Sequence, residues 1–120
     1  MVLENMNEIL VNQGKNTIKS MKELNRRAGK NGKERSELYE KFRANEHAFR
    51  VYTYVNEALE QSKVVKTFLK DLELYGEIFI GVDTELETTV NVKAAEEVFH
   101  HVVNSYNKMA SYLGYEQERM

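Results

Sequence analysis

The chain has 120 residues, a formal net charge of −2, 42% hydrophobic and 30% charged side chains. This is the balance of one domain, residues 1–120, with a modest core and no room for a second globular unit. It contains no proline, cysteine or tryptophan, which excludes disulfides, thiolate metal sites and cysteine nucleophiles and favours long helices over a many-turned sandwich or barrel.

The start Met1-Val2-Leu3-Glu4-Asn5 lacks the basic and apolar regions of a secretory signal. The longest strongly apolar runs, Ile9-Leu10-Val11 and Ile78-Phe79-Ile80, are far shorter than a membrane span. A cytoplasmic location is expected, with no membrane partner.

In chain order, Ile18, Met21, Leu24 and Ala28 recur at helical spacing and predict a helix over about 15–28. Residues 3–11 fit either a helical turn or a short strand, and Gly14 reads as a break or a weak point. Asn31-Gly32-Lys33-Glu34 is a helix start signal, with Asn31 as cap and Glu34 complementing the dipole. From there Leu38, Phe42, Phe49, Tyr52, Val55 and Leu59 predict a long helix over about 34–61. It bends near Ser62 into a second segment over about 63–75, carrying Val65, Phe68, Leu69 and Leu72.

Residues 77–92 change period from 3.6 to two. Ile78, Ile80 and Val82 share one strand face, and Leu86, Thr88, Val90 and Val92 another, which predicts a β-hairpin. Ala95, Val98, Phe99, Val102, Tyr106, Met109, Ala110 and Leu113 then form the clearest stripe, a helix over about 93–113 closed by Gly114 as a left-handed cap. The expected fold is α+β and mostly helical. A lone hairpin is marginal in water, so its edge, or the long helix, is an expected homo-oligomer contact.

Charge is segregated. Residues 15–35 hold eight basic side chains against Glu23 and Glu34, whereas residues 71–120 hold ten acidic against three basic ones. Lys15, Lys19, Lys22 and Arg26 repeat at steps of four, three and four and so share one helix face; Arg27, Lys30, Lys33 and Arg35 extend it. Such a face suits phosphates or an acidic protein surface, or is simply solvated. The Gly29-Lys30-Asn31-Gly32 spacing resembles the backbone-holding loop of KH domains. The helix that follows is several turns too long for that fold, and a two-helix turn capped by Asn31 explains the same residues.

No nucleotide-loop, nucleophile-elbow, zinc-protease or dinucleotide motif occurs, and no cofactor or metal is expected. Arg43, Glu46 and His47 lie on neighbouring turns as an acid–base site would need, but on one helix of a Lys/Glu-rich chain. The expectation is a small non-catalytic binding protein, a phage or mobile-element regulator or inhibitor acting on another protein. The alternatives are a nucleic-acid module using the basic face, or a binder of a small anionic nucleotide.

Overall fold

A computed structural model describes residues 2–27, 33–54, 57–79 and 91–114. It contains α1 (Val2–Arg27), α2 (Lys33–Tyr54), α3 (Glu57–Gln61), α4 (Lys63–Glu77) and α5 (Val92–Tyr112). The four long helices run up, down, up and down. Gln13 reaches Asn45 and Arg27 reaches Glu34, so α1 and α2 are antiparallel. Phe42 meets Tyr75 and Phe49 meets Phe68, which sets α4 antiparallel to α2. Asp71 accepts a hydrogen bond from the Ser105 hydroxyl, and Gly14 of α1 lies against Tyr106, so α5 closes the bundle beside α1. The result is elongated, 50 × 23 × 19 Å, as antiparallel helices of 15 to 26 residues laid side by side dictate.

Each helix forms because its apolar residues recur every three or four positions and meet one shared core. Leu10, Ile18, Met21 and Leu24 of α1, Phe42 and Phe49 of α2, Phe68, Leu72 and Tyr75 of α4, and Val102, Tyr106 and Met109 of α5 are fully buried. Phe68 stacks edge-on with Phe49 at 4.9 Å and lies 5.8 Å from Tyr106, joining three helices. Truncating it to Ala costs about 3–5 kcal/mol, the range for a buried aromatic ring. The buried hydroxyls of Thr17 and Ser20 donate to the Gln13 and Thr17 carbonyls of their own helix, at 2.8 and 2.6 Å, so α1 can bury them at little expense.

The expected α+β class is corrected to an all-helical one, since the described residues contain no strand or sheet. α4 runs through Glu77, and the Ile78 and Phe79 amides close tight turns onto the Tyr75 and Gly76 carbonyls at 3.2 and 3.0 Å. Phe79 continues the α4 stripe one turn beyond Tyr75, is buried, and packs 5.3 Å from that ring and 5.9 Å from Tyr39. Alternation of Ile78, Ile80 and Val82 suggested a strand, but the four-residue step from Tyr75 to Phe79 satisfies the core better. Val92 opens α5 rather than closing a strand. The rest of the predicted hairpin, residues 80–90, lies outside the described residues. The described residues supply no strand edge for the expected homo-oligomer contact, and α2 buries Phe42 and Phe49 within the chain.

Two boundaries also move. The first helix begins at Val2 and runs through Gly14 without a break, burying Leu10 and Val11. Residues 33–54 and 57–61 of the predicted long helix are helical, and residues 55 and 56 lie outside the described residues. The bend near Ser62 is a break: its φ and ψ are −64° and 128°, extended, and its side chain makes no capping bond. The last helix spans the expected residues, but its start lies in the segment read as hairpin. Asn91 caps it by accepting from the Ala94 amide at 3.0 Å, and Gly114 adopts φ +85° at its end. Among the described residues, no helix is long and apolar enough to cross a membrane.

Candidate functional site

The core face of α1 is filled by Leu10, Thr17, Ile18, Met21 and Leu24, which turns the opposite side outward. Lys15, Lys19, Lys22 and Arg26 fall within an arc of about 60° on that side, at roughly 100° per residue. Lys15, Lys19 and Arg26 are exposed and form no ion pair among the described residues; Lys22 is half-buried. They make a ridge about 16 Å long, from 1.5 Å of rise per residue.

The structure does not bring Arg27, Lys33 or Arg35 into this ridge. Arg27 is held by Glu34 at 3.3 Å across the α1–α2 connection, and Lys33 lies 3.9 Å from Glu37. Arg35 is only 3% exposed. It lies seven residues before Phe42 and fourteen before Phe49, on the line of α2 that faces the core, so its guanidinium is withdrawn from the surface. Lys30 lies outside the described residues.

A groove flanks the ridge on each side. Between α1 and α2, Asn16, Lys19, Ser20, Glu23, Lys41 and Asn45 line a cleft of 240 Å³. Its walls are tied by Lys41 to Glu23 at 3.6 Å and by the Gln13 amide donating to the Asn45 carbonyl at 2.9 Å. Between α1 and α5, Lys22, Asn25, Arg26, Glu96 and Phe99 line a more open cleft of 400 Å³. The carboxylate of Glu96 beside Lys22 and Arg26 opposes a phosphate there, although Phe99 offers a ring edge for a base. The sequence pattern did not expose these grooves. Their signal is the seven-residue line Ile9, Asn16, Glu23, which returns to nearly the same side of a helix.

The Arg43, Glu46, His47 set separates. Glu46 is buried and takes Arg43 at 2.6 Å and Arg50 at 3.5 Å, and Arg50 also lies 3.9 Å from Glu73 of α4. His47, about 100° further around α2, is exposed. Glu46 therefore anchors two arginines of its own helix, and it is Arg50 that ties α2 to α4 through Glu73. Among the described residues no three His, Asp or Glu side chains converge as a metal ion would require. Burial pushes the Tyr75 phenol well above its ordinary value. It stays protonated and donates toward the Asn25 side chain at 2.5 Å and the Met21 carbonyl at 3.2 Å, fastening α4 to α1.

No protein family, curated protein or solved structure matches the chain. Neither the fold nor these comparisons support the narrower expectation of a phage or mobile-element regulator or inhibitor.

Proposed function

We propose that this chain is a non-catalytic binding protein of the cytoplasm that engages an acidic surface of another protein through the exposed face of α1. The observation that carries the reading is the ridge of Lys15, Lys19, Lys22 and Arg26. Three of its four cations are exposed with no ion-pair partner among the described residues. Unpaired like charges held on one rigid helix favour encounter with an anionic surface and fix its register.

A protein surface fits better than a nucleic-acid backbone. Glu8 is exposed and lies two turns from Lys15 on the same arc, Glu23 lies on the wall of one flanking groove, and Glu96 in the other. Phosphates in regular array would meet these carboxylates with repulsion, whereas a protein can place its own cations or amides opposite them.

Carbodiimide coupling tests this directly, because it joins a lysine amine to a carboxylate only in contact. In a lysate of the source cell, the expected product links Lys15, Lys19 or Lys22 to an Asp or Glu of one partner, and is lost when Lys15, Lys19 and Arg26 are changed together to Glu. Coupling confined to other faces, or a salt-dependent gel shift of duplex DNA or RNA through these residues instead, overturns the reading.

A further inference from the structure

We propose that the groove between α1 and α2 receives one helix of the partner, bearing an apolar anchor at one end and carboxylates two to three turns away. This rests on the reading of α1 as the recognition face and specifies what that face binds.

Ile9 stands seven residues before Asn16, and Tyr52 seven residues after Asn45. Both therefore continue the groove walls beyond the polar cleft that Asn16 and Asn45 line. The antiparallel pairing of Gln13 with Asn45 puts Ile9 and Tyr52 within about one turn of each other in height, at 1.5 Å per residue. Both are apolar residues left open, 47% and 39% exposed. The groove thus has an apolar end at Ile9 and Tyr52, an amide-lined middle at Asn16 and Asn45, and a cationic rim at Lys19, with Lys15 one turn away on the adjoining ridge.

Heights along α1 convert this into a spacing. Lys15 and Lys19 stand about 9 and 15 Å from Ile9 along the helix axis. A helical ligand lying in the groove places an apolar side chain against Ile9 and Tyr52, and acidic side chains about six and ten residues away. The charge of the rim selects against a basic or uncharged helix. The tie between Glu23 and Lys41 leaves Lys15 and Lys19 as the cations available to the ligand.

Selection of random 16-residue displayed peptides on the intact protein, followed by anisotropy titration of the enriched sequences, tests the proposal. The expected consensus has a bulky apolar residue with Asp or Glu six and ten positions away. Its affinity falls about tenfold in Ile9→Ser or Tyr52→Ser and about tenfold in Lys15→Glu/Lys19→Glu, the loss typical of an interface anchor. These positions are exposed, so circular dichroism melting shows each variant folded. No enrichment, or a consensus without carboxylates, overturns the proposal. Peptides that depend on Lys15 and Lys19 but not on Ile9 and Tyr52 overturn the groove and leave the α1 reading standing; dependence on neither removes both. A dimer in sedimentation that Tyr52→Ser dissociates assigns the groove to a second copy and also overturns it.

Discussion

Gly14 offers a test in which two effects of known size oppose each other. It sits in the middle of a 26-residue helix, where replacing Gly by Ala ordinarily stabilises by about 1 kcal/mol through backbone entropy. Here an added Cβ lies 2.9 Å from Cε2 and 3.1 Å from Cδ2 of Tyr106, and 3.6 Å from Met109 Cε. Normal carbon contacts are about 3.5–4.0 Å, so the ring must retreat by roughly half an ångström. It has little room: Tyr106 is fully buried and packs against Phe68. Overfilling of this kind costs about 1–3 kcal/mol. Subtracting the helix gain leaves Gly14→Ala less stable by about 1 kcal/mol, a fall in Tm of about 4 °C for a chain this size. In a Tyr106→Ala background the obstruction is gone, and Gly14→Ala should instead stabilise by about 1 kcal/mol. Urea denaturation of the four proteins measures the cycle. A stabilising Gly14→Ala in the wild-type background, or the same sign in both, refutes the close approach of α1 and α5.

Three other predictions concern single groups. Glu46→Gln leaves the Arg43 and Arg50 guanidiniums without their carboxylate; because those cations are 44% and 32% exposed, water offsets part of the loss and urea melts should show about 1–2 kcal/mol rather than the larger buried-pair value. The Tyr75 phenol is held protonated by burial, above its ordinary 10.0. Its contribution is therefore full below about pH 10, where the unfolded phenol ionises, and is lost as pH rises above that. Tyr75→Phe should cost about 1–2 kcal/mol at pH 7 and flatten the decline in urea midpoint between pH 9.5 and 11; an equally steep decline in the variant refutes the assignment. Asn91→Ala removes a formed cap and should cost about 1 kcal/mol, whereas Ser62→Ala, at a position with no capping bond, should leave the thermal midpoint unchanged.

The helices were legible where one face alone is buried. The stripe from Ala95 to Leu113 needed no context, because each of its residues meets the core and Gly114 marks its end, whereas the cap Asn91 was hidden by the alternating residues before it. Where tertiary packing decides, sequence pattern misled. Gly14 reads as a weak point, yet it is the residue that allows Tyr106 to lie against α1. Phe79 reads as the outward side of a strand until Tyr75 and Tyr39 are seen to receive it. Arg35 counts as one more surface cation by charge, but its register with Phe42 and Phe49 turns it inward. Glu46 is the converse: its burial depends on Arg43 and Arg50 flanking it on the same helix, which charge alone does not distinguish from a solvated face.

The ridge on α1 has a cost that bears on its purpose. Lys15 with Lys19, and Lys22 with Arg26, are like-charge pairs four residues apart, and each such pair destabilises a helix by about 0.2–0.5 kcal/mol. Lys19→Glu converts two repulsions, with Lys15 four residues before it and Lys22 three after, into two attractions, while adding one repulsion from Glu23, which Lys41 already engages at 3.6 Å. The net expectation is a gain of about 0.6–1.5 kcal/mol, or a rise of about 2–6 °C in Tm, together with loss of carbodiimide coupling to the acidic partner. A side chain serving only stability would show the opposite sign. If Lys19→Glu lowers the midpoint, Lys19 is held by the fold, and the ridge loses its standing as a surface kept basic for a partner.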